Sequence, residues 1–294
     1  MLHALFARSE SKMDLKELKT LWKEEGFRPN KNLGQNFLID KNVRGNILKS
    51  LALEETRTVI EIGAGFGVMS FALSSMCERL IAVEKDERIS RIMAPRFQGE
   101  NITFIEGNAL DIDICAFREK EAPLIVFGNI PYYISSPLIE KVIDQRECIR
   151  SVYLVMQEEF ADRIVASAGS KNYGSISCFV QFYTKTKKLF KIKKNSFYPK
   201  PQVDSFLIEM KVLSEPSVKV KDKALMFKIV RRAFSQRRKK AVNPLSSGDS
   251  ALTDKTGWIE VFEKCGIDPK SRAEALSLED YAKISDCVGE SFQP

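Results

Sequence analysis

The chain has 294 residues, of which 44% are hydrophobic and 29% charged. A length of this order is typical of about two globular domains. The composition excludes a collagen-like, disordered or coiled-coil protein, and no apolar run is long enough to cross a membrane. The net charge is +7, and residues 185–240 alone carry 18 lysines and arginines against 4 acidic residues. This local excess favours a polyanion such as nucleic acid, although a solvated lysine-rich surface has the same composition.

Side chains that often carry metal or acid–base chemistry are scarce. The single histidine is His3, and no two of the six cysteines are spaced as Cys-x-x-Cys. Neither a zinc site nor a disulfide framework is therefore expected. Without a histidine base, catalysis would depend on carboxylate or amide groups. The first 12 residues lack the apolar segment of a secretory signal, and with free cysteines this leads us to expect a cytoplasmic protein.

Two helices are predicted before the first strand. Residues 14–25 place three leucines and Trp22 at helical spacing, and a second helical pattern covers 42–51. Five short β-branched or apolar segments follow, separated mostly by stretches of helical length. Such segments are typical of parallel strands covered by helices on both faces of the sheet. The predicted strands are 58–62, 80–84, 102–106, 124–128 and 152–156.

The pattern changes twice after these strands. Two longer β-like runs, 176–192 and 203–211, are predicted to add antiparallel strands at the sheet edge. From Lys223 onward the strand patterns end, and apolar residues recur at helical spacing, which predicts a small all-helical domain. The predicted domains are an N-terminal helical extension (1–30), an α/β domain (31–215) and the helical domain (216–294).

A glycine-rich turn follows the first predicted strand. It reads Glu-Ile-Gly-Ala-Gly-Phe-Gly over 61–67, and such a turn lets backbone N–H groups approach a ligand closely. Counted from Gly63, the sixth position is Val68, which does not fit the dinucleotide pattern G-x-G-x-x-G/A. The spacing is instead typical of S-adenosylmethionine sites. A tight turn of small residues without a ligand is the alternative.

Polar residues follow the next two strands. Glu84 ends the second strand, where a carboxylate can accept both ribose hydroxyls of a nucleoside, although an isolated glutamate there is usually only solvated. Asn108 follows the third strand, where its side chain can reach the edge of the adenine.

The strongest local signal is Asn129-Ile130-Pro131-Tyr132, directly after the fourth strand. An exocyclic amine is a poor nucleophile because its lone pair is delocalised into the ring. The Asn129 side-chain carbonyl and a main-chain carbonyl of Ile130 or Pro131 can accept its N–H groups, orient the lone pair and stabilise the developing charge. Tyr132 or Tyr133 can stack on the base. The alternative is a β-turn that uses Asn and Pro only for its conformation.

In combination these motifs resemble those of the ribosomal RNA adenine N6,N6-dimethyltransferases, and among them the small-subunit (16S) rRNA enzymes. The resemblance runs from about residue 32 to 284. Beyond the motifs above it includes Gly-Gln-Asn-Phe-Leu (34–38), Gln-Glu-Glu-Phe-Ala-Asp-Arg (157–163), Tyr-Gly-Ser-Ile-Ser (173–177), Phe-Tyr-Pro-Lys-Pro-Gln-Val-Asp-Ser (197–205) and Phe-Ser-Gln-Arg-Arg-Lys (234–239).

The resemblance implies a Rossmann-like class I methyltransferase fold with a mostly parallel seven-stranded sheet, S-adenosylmethionine as methyl donor and no metal. It implies a monomer that dimethylates two adjacent adenosines near the rRNA 3′ end within a pre-ribosomal small subunit, without a membrane. The implied catalytic residues are Asn129, Pro131, Tyr132 and Phe197. The implied cofactor-binding residues are Asn36, Leu38, Gly63, Gly65, Glu84, Asn108 and Asn129. The basic segment 231–240 is predicted to be a helix that binds RNA, through Arg231, Arg232, Arg237, Arg238, Lys239 and Lys240.

One position departs from the family. Asn108 stands where the family usually has Asp, which predicts somewhat weaker cofactor binding. Three other functions were weighed: a resistance-type large-subunit rRNA methyltransferase, a non-catalytic binding protein on the same fold, and a nicotinamide oxidoreductase. The basic segment and the Ser-Arg-Ala-Glu-Ala-Leu-Ser-Leu-Glu-Asp-Tyr ending (271–281) favour the small-subunit enzyme over the first. Intact Asn129 and Tyr132 argue against the second, and Val68 and the lack of a catalytic histidine against the third.

Overall fold

A computed structural model describes residues 14–30, 34–53, 57–97, 101–119, 122–248 and 252–291. The predicted 1–30 extension is thus described only from residue 14. Helix α1 (Leu15–Glu24) begins at a capping box, in which Asp14 accepts from the Glu17 amide and Glu17 accepts from the Asp14 amide. Its apolar face, including Leu18 and Trp22, packs into an aromatic core cluster.

The central sheet has seven strands in the order β4-β3-β2-β5-β6-β9-β7. Pairing is parallel from β4 through β6, and β6 pairs with β9 antiparallel. All five residues of β2 are buried, so both of its faces are covered. The strands are β2 (Thr58–Ile62), β3 (Arg79–Glu84), β4 (Ile102–Glu106), β5 (Leu124–Asn129), β6 (Ile149–Gln157), β7 (Thr184–Ile192) and β9 (Ser205–Val212).

A separate two-stranded ribbon pairs β1 (Phe37–Leu38) with β8 (Phe197–Tyr198). The helices along the sheet-bearing part of the chain are α2 (Lys41–Ser50), α3 (Ser70–Ser74), α4 (Glu87–Met93), α5 (Ser135–Asp144) and α6 (Glu158–Ile164). The later helices are α7 (Ser175–Tyr183), α8 (Lys223–Ala233), α9 (Val242–Leu245), α10 (Lys255–Lys264) and α11 (Leu278–Ser291). No helix in the described ranges is both long enough and apolar enough to cross a membrane.

The chain divides into two compact units. One comprises residues 1–161 and 187–212, and the other 162–186 and 213–294. The second unit has its own core, in which Trp258, Phe262 and Tyr281 are fully or almost fully buried. The predicted α/β domain (31–215) thus differs from the sheet-bearing unit, because residues 162–186 group with the helical residues.

The predicted strand 176–192 is wrong in its first half, where residues 175–183 form helix α7. Short apolar runs fit either structure from sequence alone, and packing decides between them. Here Phe179 and Phe182 make edge-on ring contacts with Phe227 of α8, which places an apolar helical face against a second helix. The antiparallel edge itself is present, with β7 beginning at Thr184.

Two further expectations need correction. The basic segment 231–240 is not one helix: α8 ends at Ala233, and a 3₁₀ turn and bends carry the remaining residues. The cysteines are also not all free, because Cys115 and Cys148 form a disulfide with Cα atoms 5.5 Å apart. Their 33-residue separation gave no sequence signal, because only the fold of the intervening chain, which includes β5 and α5, brings the two residues together.

Candidate functional site

A cavity lies at the carboxyl ends of β2, β3, β4 and β5. Strand β2 sits between β3 and β5, so the chain runs from β2 toward one side of the sheet and later returns to the other. Open parallel sheets bind ligands at such a reversal, because the loops that follow the two central strands diverge and leave a crevice. Its empty volume, counted out into the solvent at the open mouth, is about 900 Å³.

The glycine turn forms the floor of this cavity. Gly63 and Gly65 have φ angles of +77° and +55°, a region that favours glycine. A Cβ atom on Gly65 would lie 3.1 Å from the Phe37 ring, so a side chain there would also crowd the segment that crosses above the turn. The turn thus brings bare backbone to the ligand space, as the motif predicted.

Glu84 is fixed at the same edge by backbone donors. Its two carboxylate oxygens accept from the Gly65 amide at 2.9 Å and from the Asp86 amide at 2.8 Å. Burial raises the pKa of Glu84, and these two hydrogen bonds oppose that rise. Each oxygen keeps a second lone pair, so the carboxylate can still accept from ligand hydroxyls.

Asn129 is oriented by the opposite wall. Its Nδ2 donates to the main-chain oxygen of Asn36 at 3.1 Å, which leaves its Oδ1 as the free acceptor of the amide group. Both residues line the cavity, and Asn36 is itself held by an Nδ2 bond of 2.9 Å to the Gly34 carbonyl. The Pro131 carbonyl already accepts from the Ile134 amide at 3.2 Å, which favours the Ile130 carbonyl as the second acceptor for a substrate amine.

The ribbon β1–β8 brings Phe197 to the cavity. Phe197 pairs with Leu38, is 4% exposed and lines the cavity wall. Leu38 is buried in the core cluster beneath and is not among the lining residues. The side chain of Tyr132 lies outside the described part of the structure, whereas Tyr133 lines the cavity.

Most of the site residues predicted in the sheet-bearing unit thus meet at one cavity. Those that line it are Asn36, Gly63, Gly65, Glu84, Asn108, Asn129, Pro131 and Phe197. Gln35 and Asp86 also line it, although neither was predicted as a site residue. Gln35 Nε2 donates to Asp86 at 2.7 Å, and Asp86 also pairs with Arg88 at 2.6 Å. Two signals pointed to them: Gln35 stands inside the Gly-Gln-Asn-Phe-Leu motif, and Asp86 follows the Glu84 strand end.

Glu61, at the start of the glycine motif, is not a lining residue. It is fully buried, and burial raises its pKa to about 8, with a smaller opposing effect of Ser70. The nearby Glu84 carboxylate acts in the same direction as burial. Glu61 is therefore predominantly protonated, and so neutral, at pH 7.

The six predicted RNA-binding residues lie in the second unit. Arg231, Arg238, Lys239 and Lys240 are exposed. Arg237 is partly exposed, but its guanidinium already has partners within the protein. It donates to the carbonyls of Lys171 and Tyr173 at 2.8 Å and pairs with Glu274 at 3.2 Å. Arg232 Nε donates to the Pro244 carbonyl. Two of the six cations thus hold the local fold together.

The cavity suits S-adenosylmethionine. The glycine floor leaves room for a ligand against bare backbone, Glu84 presents a fixed carboxylate, and an oriented carbonyl stands at the far wall. In the described ranges no group of three or more His, Cys, Asp or Glu side chains is arranged to hold a metal ion.

Comparisons with known proteins agree with this geometry. A model of the family "Ribosomal RNA adenine dimethylase" matches residues 26–289. A Clostridium botulinum protein named ribosomal RNA small subunit methyltransferase A is 39% identical over 263 residues, covering 89% of this chain and 94% of that protein. The protein of the same name from Pelotomaculum thermopropionicum is 34% identical over 279 residues, covering 92% and 94%.

Among solved structures, a dimethyladenosine transferase from Plasmodium falciparum superposes with a TM-score of 0.73 at 24% identity. The match covers 84% of this chain and 95% of that one, and it shows the same fold. The expected class I methyltransferase architecture, with a mostly parallel seven-stranded sheet, is thereby confirmed.

Proposed function

Because the chain belongs to the ribosomal RNA adenine dimethylase family and uses S-adenosylmethionine, we propose that it dimethylates N6 of two adjacent adenosines near the 3′ end of small-subunit rRNA. The relatives at 34–39% identity carry a small-subunit name. The observation that carries the chemistry is the fixed orientation of Asn129, whose Oδ1 is left to accept while its Nδ2 is held by Asn36.

Different residues along the cavity are proposed to bind the cofactor and to orient the target amine. Glu84 and the glycine floor hold the nucleoside half of the cofactor, and Asn36 lies toward its methionine end. The bound cofactor supplies a methyl group on a positively charged sulfur. Asn129 Oδ1 and the Ile130 carbonyl accept the two N–H groups of the target amine, so that its lone pair faces that methyl. Both dipoles also stabilise the positive charge that develops on nitrogen.

Phe197 and Tyr132 are proposed to hold the target base between their rings, which keeps the amine at the Asn129 wall. When bound, S-adenosylmethionine would supply the methyl by cleavage of its S–CH3 bond, with S-adenosylhomocysteine as the leaving group, so an oriented amine would need no covalent enzyme intermediate. The nitrogen loses one proton for each methyl it gains, and we propose that this proton leaves to solvent through the open mouth of the cavity.

The exposed cations of the second unit are proposed to contact rRNA phosphates, and the protein to act as a cytoplasmic monomer on a pre-ribosomal small subunit. These cations lie outside the sheet-bearing unit. The proposal therefore assigns RNA affinity to residues other than those that line the cavity. Binding through phosphates depends steeply on salt, which gives this part of the proposal its own readout.

The test is transfer of labelled methyl from S-adenosylmethionine to small subunits that lack the modification. We expect label in the 3′-terminal fragment of the rRNA, with up to four methyls per subunit, and none with previously modified subunits. Large subunits serve as the second control. Preferential labelling of large subunits would favour the resistance-type alternative, and absence of transfer to any RNA would contradict the proposed function.

A further inference from the structure

Tyr133 is an aromatic side chain that the fold leaves uncovered beside the cavity. It is 53% exposed, and it and Val203, at 43%, are the two exposed large hydrophobic side chains of the described residues. Within that part of the chain the Tyr133 ring has neither a ring contact nor a hydrogen bond. Tyr133 also lines the cavity, so this exposed ring lies where substrate must enter.

The backbone beneath Tyr133 is fixed although its ring is not packed. Residues 132–134 form a 3₁₀ turn, closed by the bond from the Ile134 amide to the Pro131 carbonyl. Helix α5 follows directly and anchors the turn through the buried side chains of Leu138 and Ile139. The fixed backbone therefore places the ring beside the cavity, although the ring itself contributes little to the core.

From this position we propose that Tyr133 forms a stacking subsite for the nucleobase next to the adenosine being methylated. The inference rests on the proposed function and names a contact with a second nucleotide of the same RNA. An adenosine that reaches Asn129 must leave its stack, and each neighbouring base then loses one stacked face. An exposed ring at the cavity mouth replaces that lost contact.

Phe197 and Tyr133 differ in burial, and this difference distinguishes a contact with the neighbouring base from a contact with the target base itself. Phe197, 4% exposed, is an inner wall residue suited to the base that enters fully. Tyr133 keeps half of its surface in solvent at the mouth of the cavity. At that point the RNA strand would continue away from the inserted nucleotide. Every base offers a π face, so this subsite accepts a nucleobase with little preference for its identity.

Stacking of a base on an aromatic side chain is worth about 1–3 kcal/mol by substitution. Removal of the ring should therefore raise the KM for unmethylated small subunits about 5- to 150-fold, while kcat at saturation and the Kd for S-adenosylmethionine stay within about twofold. Tyr133→Leu removes the ring and Tyr133→Phe keeps it, so the Phe variant should retain the wild-type KM. Val203→Ala is the matched control for loss of exposed apolar surface.

A fluorescent base locates the contact. In an RNA hairpin that carries the target loop, 2-aminopurine is placed either at the target adenosine or at the adjacent base, and its fluorescence is quenched by stacking. Tyr133→Leu should abolish quenching at the adjacent position only. An unchanged KM in Tyr133→Leu, or a loss of quenching confined to the target position, overturns the proposal. Failure of the proposed function looks different, because the wild-type protein would then transfer no methyl to RNA.

Discussion

Asn108 and Asp111 form a hydrogen-bonded pair at the adenine end of the cavity. Asn108 Nδ2 donates to Asp111 Oδ2 at 3.1 Å, while its Oδ1 accepts from the Leu110 amide at 3.3 Å. The family's usual carboxylate at position 108 is thus absent, and a carboxylate three residues later instead holds the amide that replaces it. Asp111 orients Asn108 so that the same Oδ1 can also face an adenine amino group.

This pairing determines the effect of restoring the family residue. Asn108→Asp alone should bind S-adenosylmethionine no better than wild type, because it sets two carboxylates side by side, where like charges about 4 Å apart in water cost about 1 kcal/mol. The double variant Asn108→Asp, Asp111→Asn restores a donor to the new carboxylate and should bind several-fold tighter. Calorimetric titration of the two single variants and the double variant decides this, and a several-fold gain in Asn108→Asp alone would show that Asp111 has no influence.

Asn129→Ala should lower kcat on the order of a hundredfold or more, because the variant loses the oriented acceptor for the target amine. Asn129→Asp should also be severely impaired, since a carboxylate cannot donate to the Asn36 carbonyl that fixes the side chain. RNA affinity should be largely retained in both. Asn46→Ala, an exposed asparagine on α2, is the control. Near-normal turnover in Asn129→Ala would mean that another group orients the amine.

Substitutions of the adjacent Arg237 and Arg238 should have different effects, the first on folding stability and the second on RNA binding. Arg237→Ala should lower the free energy of unfolding by about 1 kcal/mol, because it releases the Tyr173 and Lys171 carbonyls. Arg238→Ala should leave stability unchanged and reduce the salt slope of RNA binding by about 0.7–0.9 if one phosphate contact is lost. Chemical denaturation and binding isotherms at several salt concentrations measure both. A salt slope in Arg238→Ala that is identical to the wild-type slope would show that RNA binds to a different surface of the protein.

Glu61 should make stability depend on pH. Its folded pKa of about 8 lies above the 4.5 of the unfolded chain, so its contribution is complete below pH 4.5 and is lost as pH rises through 8. Glu61→Gln mimics the protonated form and should flatten this decline, with a gain on the order of a few kcal/mol in the free energy of unfolding at pH 8 relative to pH 5. Glu106→Gln, an exposed carboxylate at the end of β4, is the control. A wild-type stability that does not decline between pH 5 and 8 would contradict a protonated Glu61.

The α/β alternation, the family and most of the cavity could be predicted from the amino-acid sequence alone. Strands 58–62 and 102–106 were predicted at their observed bounds, because short β-branched runs between polar turns leave little choice of structure. Gly63, Glu84 and Asn129 could be placed because each follows a parallel strand, and the carboxyl ends of parallel strands meet at one edge.

Other features depend on contacts between residues far apart in the chain, and these contacts exist only once the chain has folded. Residues 175–183 are helical because they pack on α8, and Cys115 meets Cys148 because the intervening β5 and α5 bring the chain back. Arg237 resembles its basic neighbours in sequence, yet carbonyls more than 60 residues away hold its guanidinium. The orientation of the Asn129 amide likewise depends on Asn36, 93 residues earlier, because a residue's type fixes what its side chain can donate or accept but not which partner the fold provides.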